Sequence, residues 1–199
     1  MIGIEFGLLY PLFFIPFGVI GASASFNFLG GFNGLEASQG ILLLSALTIV
    51  TYFTENRWLS LICLIMIVCL IAFLFFNWYP AKVFPGDVLT YSIGALIATI
   101  TILGNIEKIA IFFFIPYIIE TGLKLRGNLR KQSFAKVNWD DNLEVPYKKF
   151  YSLTHISIWF LGKIKKRKKI YEKEVVYLIN LFQILIIIVG LIIFKSNIF

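Results

Sequence analysis

The chain has 199 residues, 59% of them hydrophobic and only 15% charged, with a mean hydropathy of +0.85. Soluble domains are nearer half apolar with about a quarter of their residues charged, so this composition excludes an ordinary soluble globular protein and makes lipid the solvent for much of the surface. The net charge of +7 does not point to nucleic acid, because 14 of the 18 Lys and Arg lie between Lys124 and Lys173, inside one polar insertion.

Six apolar stretches approach the roughly 17–25 residues that cross a bilayer as a helix. They are expected over Phe6 to Ser23, Leu35 to Phe53, Trp58 to Phe76, Val88 to Leu103, Ile109 to Leu123 and Val175 to Phe194. The first twenty residues lack the basic flank and small-residue cleavage site of a secretory signal, and they carry Glu5, Pro11 and Pro16. They read as a mature spanning segment. Cys63 and Cys69 sit in an apolar run with no histidine nearby, which suits small buried side chains better than a metal or redox pair. The expected fold class is therefore all-α: a polytopic membrane protein of about six transmembrane helices, with a long basic insertion, 124–174, before the last one. No internal repeat is visible, and 1–199 reads as one domain.

The positive-inside rule puts the basic insertion in the cytoplasm. Counting helices backwards then places Asn77–Asp87 and Asn27–Gly34 on that same side, with Thr54–Arg57 and Gly104–Lys108 outside. The segments richest in unusual polar residues can thus converge on one cytoplasmic surface. Asn27 and Asn33 are six apart, among Gly30, Gly31 and Gly34. Such a loop can approach a phosphate or base closely, and a carboxamide can serve a hard cation or an amide edge such as that of uracil. It also makes an ordinary turn. Asp87 opens a spanning helix, where it can cap the orphan N–H groups, bind Mg²⁺, or do both. Phe84, three residues earlier, brings an aromatic face near it.

Among the other polar groups, Glu36 falls at the interface, Glu107 on the outer side, and Glu120 close to the cytoplasmic interface with no partner that the sequence names. The insertion opens with Arg126, Arg130, Lys131, Gln132, Ser133 and Lys136, a cluster suited to phosphates or anionic headgroups. The run Lys163 to Lys169 suits a solvated or lipid-facing surface. His155 is the single histidine, and its apolar neighbours suit a packed residue rather than a base. No serine–histidine–acid triad, zinc spacing or P-loop can be assembled.

The order of these elements carries a resemblance. Asn33-Gly34-Leu35-Glu36-Ala37-Ser38-Gln39 resembles the Asn-Gly-Leu-Glu-Ala-Gly-Gln element of the eukaryotic and archaeal UDP-N-acetylglucosamine:dolichyl-phosphate N-acetylglucosamine-1-phosphate transferases. Asn77-Trp78-Tyr79-Pro80, Val83-Phe84 and Gly86-Asp87 resemble their Asn-Trp-Tyr-Pro-x-x-Val-Phe-x-Gly-Asp element. The resemblance implies transfer of N-acetylglucosamine 1-phosphate from UDP-N-acetylglucosamine to a polyprenyl (dolichyl) phosphate lipid, releasing UMP, with Mg²⁺ as cofactor. It implies the first step of lipid-linked oligosaccharide synthesis for N-glycosylation. The site would face the cytoplasm from the plasma membrane of a prokaryote or the endoplasmic reticulum of a eukaryote. By the same resemblance Asn27 and Asp87 are the Mg²⁺ ligands, Asn33 pairs with uracil, Phe84 stacks on it, and Lys131 and Gln132 hold the pyrophosphate and sugar.

Here the sequence departs from the pattern. Lys131-Gln132-Ser133 stands where the family carries Arg-His-Arg, and Ala24 where it often has another asparagine. Family members are about twice as long, with an aspartate pair and a phosphate-binding lysine in the part this chain does not match; Asp140-Asp141 lies in the insertion and is not that pair. The chain is therefore expected to be the C-terminal half of such an enzyme, inactive alone: either a split-gene product that needs a separately encoded N-terminal half, or a truncated reading frame. Two other classes fit: a non-catalytic membrane protein that binds nucleotide or polyprenyl lipid, and a small transporter subunit. For transport, only Ser45, Thr48 and Thr51 offer polar groups at mid-membrane depth.

Overall fold

The computed structural model describes residues 7–138, 142–165 and 169–198. Asp140, Asp141 and the middle of the 163–169 basic run lie outside the described residues. The chain folds as a helical bundle: α1 (Ile15–Phe28, preceded by a π-helical turn, Tyr10–Phe14), α2 (Leu35–Phe53), α3 (Arg57–Asn77), α4 (Gly86–Leu103), α5 (Glu107–Phe113) and α6 (Ile115–Arg126). A two-stranded antiparallel hairpin follows, β1 (Lys136–Val137) with β2 (Leu143–Glu144), then α7 (Leu153–Ile164), α8 (Glu172–Ile193) and a terminal turn, α9 (Lys195–Ile198).

Among the described residues, five helical stretches are long and apolar enough to cross a membrane. The expected fifth span is not one of them, because it divides at Phe114 into α5 and α6. Pro116 is the cause: it has no N–H, and its ring crowds the carbonyl four residues back. The break is tolerated because Gln183 of α8 donates through Nε2 to the Phe113 carbonyl at 3.0 Å, satisfying an acceptor that would otherwise stand unpaired at membrane depth. The two pieces make one traverse between them. Glu107, at the start of α5, accepts from the Tyr10 hydroxyl at 2.9 Å, at the far end of the first span. Lys124, near the end of α6, lines a cleft with Asn27 and Asp87 at the other end.

Helix α2 is the central element, with 61% of its apolar window buried against 11% for Tyr10–Phe28. It packs on α3 and α8, while α1 packs on α4. The α1–α4 contact is backbone to backbone: a Cβ added to Gly94 would lie 2.6 Å from Ser23 Cα and 2.8 Å from the Ala22 carbonyl oxygen. Small residues at membrane helix interfaces permit such approach. A buried amide chain links α6, α2 and α8, with Tyr117 donating to Gln39 Oε1 at 3.2 Å and Gln39 Nε2 donating to Asn180 Oδ1 at 2.9 Å.

Candidate functional site

Three elements end at one surface. Helix α1 runs past its expected end at Ser23 to Phe28, so Asn27 stands in its last turn rather than in a loop. Its side-chain Oδ1 accepts from the Thr90 hydroxyl at 2.8 Å. Thr90 is in the first turns of α4 and also donates to the Asp87 carbonyl at 3.2 Å, so this one hydroxyl sits between Asn27 and the α4 turn that carries Asp87. The N-cap residue of α4 is Pro85, which offers no side-chain cap, and Asp87 is the acidic residue of the first turn, where its charge complements the helix dipole. Its carboxylate is exposed and lines the cleft.

The cleft has a volume of about 560 Å³ and brings together Asn27, Phe84, Asp87, Lys131 and Gln132 from α1, the α3–α4 loop, α4 and the insertion. Phe84 is 71% exposed at its rim. Lys131 places its Nζ 4.9 Å from the centre of the Tyr147 ring, a cation–π contact that restrains a long side chain. Asn33 is not among the lining residues; it lies beside the cleft, with its backbone N–H donated to Glu172 at the start of α8.

The glycine loop at 30–34 is gripped from behind. Gly31 N–H donates to Glu36 Oε1 at 2.7 Å, Asn33 N–H to Glu172, and Gly34 N–H to Asn77 Oδ1 at 3.1 Å. These three amides are thus engaged by side chains rather than presented to a phosphate. Gly31 and Gly34 have φ of +100° and +80°, and a Cβ at either would strike the ring of Phe134 or Trp78 at 2.6 Å. Asn77 is fully buried and also donates to the Val83 carbonyl at 2.9 Å, which fixes the segment carrying Phe84 to the same loop. Sequence reasoning missed these roles of Glu36, Asn77, Thr90 and Glu172; carboxylates just inside helix starts were the available signal.

The residues present fit Mg²⁺. A carboxylate and a carboxamide from facing helix ends are hard oxygen donors, and Mg²⁺ is commonly held by one or two carboxylates together with substrate phosphates and water. Among the described residues no cluster of three or more His, Cys, Asp and Glu forms an all-protein cage.

His155 is fully buried and takes no place in the cleft. Its Nδ1 accepts from the Tyr151 N–H at 3.3 Å, and its ring meets Tyr147 edge-on at 5.6 Å. Burial pushes its pKa below the usual 6.5, reinforced by the Lys124 charge and opposed by the nearby Phe134 carbonyl. Above pH 6.5 both folded and unfolded insertions hold it neutral, and the fold keeps its full stability. As pH falls below 6.5 the unfolded form takes up a proton that the folded form refuses, so stability falls by up to about 1.4 kcal/mol per pH unit until the folded pKa is reached. Hydrogen exchange in α7, corrected for its intrinsic pH dependence, should accelerate between pH 7 and 5.5, and His155→Gln should remove that acceleration.

The model of glycosyl transferase family 4 matches residues 1–105, more than half of the chain and the part that supplies Asn27, Phe84 and Asp87. The chain belongs to this family. It is 43% identical over 171 residues, 82% of its length, to a Saccharolobus solfataricus protein provisionally named as a UDP-N-acetylglucosamine–dolichyl-phosphate N-acetylglucosaminephosphotransferase. A Sulfolobus acidocaldarius protein with the same provisional name is 33% identical over 82% of the chain. A phospho-N-acetylmuramoyl-pentapeptide-transferase of Wolbachia pipientis is 35% identical over 59% of the chain and 36% of its own length. The chain spans about half the length of the first two relatives, 51% and 50%. Family membership and the apolar helices together make it an integral membrane protein.

Proposed function

We propose that the chain forms the nucleotide side of a site that transfers N-acetylglucosamine 1-phosphate from UDP-N-acetylglucosamine to a polyprenyl phosphate. The observation that carries this reading is the convergence of Asn27, Asp87, Phe84, Lys131 and Gln132 on one cleft from four separate segments. In the reaction an oxygen of the lipid phosphate attacks the phosphorus that bears the sugar, and the bond from that phosphorus to the bridging oxygen breaks to release UMP. Asn27 and Asp87 would hold Mg²⁺, which when bound would supply positive charge against the diphosphate. Phe84 offers its exposed face to the base, and Asn33 lies beside it to pair with the uracil edge. Lys131 and Gln132 address the diphosphate and sugar; positioning and electrostatics do most of the work in phosphoryl transfer.

An apolar groove of about 430 Å³ between α1, α4 and α5–α6, lined by residues such as Phe14, Gly18, Gly21, Ile97 and Phe114, supports a hydrocarbon acceptor. The cleft faces the cytoplasm, on the side where the basic insertion lies. Transport finds less support, because the Thr48 and Thr51 hydroxyls donate to carbonyls of their own helix at 2.8 and 2.7 Å. As the first step of lipid-linked oligosaccharide assembly, the reaction would commit the sugar to protein N-glycosylation.

The test is UMP release from UDP-N-acetylglucosamine and polyprenyl phosphate, with Mg²⁺, by nanodiscs holding the chain with or without the remaining segment of the S. solfataricus relative. Mg²⁺-dependent release in either form supports the reading. No release in both, from a chain whose fold is intact, overturns it.

A further inference from the structure

Glu120 is fully buried in α6, and neither the cleft nor the proposed chemistry uses it. Its Oε2 accepts the Leu153 N–H at 2.6 Å and the Ser152 hydroxyl at 3.1 Å, at the start of α7. Its Oε1 lies 3.4 Å from the Ser133 hydroxyl, which also reaches the Phe28 carbonyl at 3.2 Å. One carboxylate thus joins the end of α1, the loop at 131–134 and the start of α7. Lys124, one turn further along α6, is also buried, and its Nζ donates to the Lys131 carbonyl at 3.3 Å. The Thr154 hydroxyl donates to the Ser133 carbonyl at 2.6 Å. Gln132 is therefore flanked by two residues whose carbonyls are both held, one from α6 and one from α7.

Burying a carboxylate is costly unless its lone pairs are satisfied, and none of these bonds is needed to close a bundle that already packs through α1–α4 and α2–α3. The arrangement makes sense as a latch on the loop. We infer that Glu120, acting through Ser133, Lys124 and, by way of the Ser152 hydroxyl, Thr154, is a positioning residue that sets Lys131 and Gln132 in the cleft that Asp87 also lines, and so governs the grip on the diphosphate and sugar but not on the uridine. Ser133 acts here by its geometry, as a tether that lets an uncharged residue serve at this position. The inference rests on the nucleotide reading proposed above.

The experiment compares UMP and UDP-N-acetylglucosamine binding, with Mg²⁺, by calorimetry on the reconstituted chain and its Glu120→Gln, Thr154→Val and Thr154→Ser variants, alongside hydrogen exchange over 131–135. Glu120→Gln is expected to weaken UDP-N-acetylglucosamine about tenfold or more, since small misplacements of positioning groups cost factors of this order, while UMP changes less than twofold and exchange over the loop accelerates. Thr154→Val removes one tether without touching a buried charge, so it keeps the test available if Glu120→Gln fails to fold; it should shift the same way, and Thr154→Ser should restore wild-type values. Equal losses for both ligands, or unchanged exchange in the loop, overturn the latch. A wild-type chain that binds neither nucleotide, alone or together with the remaining segment of the S. solfataricus relative, overturns the nucleotide reading itself, and the positioning role with it.

Discussion

Asp87→Asn should lower Mg²⁺-dependent transfer by at least two orders of magnitude and leave the fold intact. The substitution preserves size and removes a formal charge. The facing donor, Asn27, is neutral, and the other carboxylate lining the cleft, Glu36, is buried beneath the glycine loop and accepts the Gly31 N–H through Oε1. Asp87 is thus the charged oxygen that the pair contributes to a divalent cation. Partners that merely orient metal ligands cost about 10–100-fold when removed, so a direct ligand belongs at or beyond the top of that range. Stability should fall by no more than about 1 kcal/mol, because Asp87 is exposed and what it loses is the favourable placement of a negative charge in the first turn of α4. Turnover measured across a Mg²⁺ titration separates the effects: the variant should need more Mg²⁺ and reach a lower plateau. An unchanged midpoint and plateau would remove Asp87 from the metal site.

Much of this was legible in the sequence, for reasons particular residues make plain. Helix α2 spans Leu35–Phe53 as expected, because glycine and asparagine precede it and Thr54–Arg57 follows the apolar run. The sequence places the end of α1 at Ser23, ahead of the polar segment Asn27–Gly34, whereas the helix runs on to Phe28. In the bundle the Ser23 hydroxyl donates to the Val19 carbonyl of its own helix at 2.8 Å, and its small size admits Gly94. Pro116 was in plain view, but a break that a distant glutamine repairs cannot be seen locally. Helix α7 was hidden by the overall polarity of the insertion. The cleft residues could be gathered because they lie near predicted helix ends on one side. The latch could not, since Glu120 finds its partners 13 to 33 residues away, across an irregular loop.

Gly94→Ala should destabilise the bundle and, through the same contact, damage the site. Two effects compete. Alanine is favoured over glycine in a helix by about 1 kcal/mol, whereas overpacking costs about 1–3 kcal/mol. The atoms struck are Ser23 Cα, Ala22 O and Ser23 N, at 2.6, 2.8 and 3.0 Å. All belong to the backbone, so no side chain can rotate away and α1 must move as a body; the steric cost should lie at the upper end of its range and win, for a net loss of up to about 2 kcal/mol. Gly122→Ala is the control, because a Cβ there meets nothing within 4 Å, and it should be neutral or stabilising. Thr90 lies one turn before Gly94, and Asn27 one turn after Ser23, so helices pushed apart at Gly94 also stretch the 2.8 Å Thr90–Asn27 bond. The thermal midpoint of Gly94→Ala should therefore fall together with Mg²⁺ affinity, whereas Asp87→Asn should lose Mg²⁺ affinity alone. A Gly94→Ala protein that is less stable yet binds Mg²⁺ as tightly as wild type would show that the spacing of the two helix ends is set elsewhere than at this crossing.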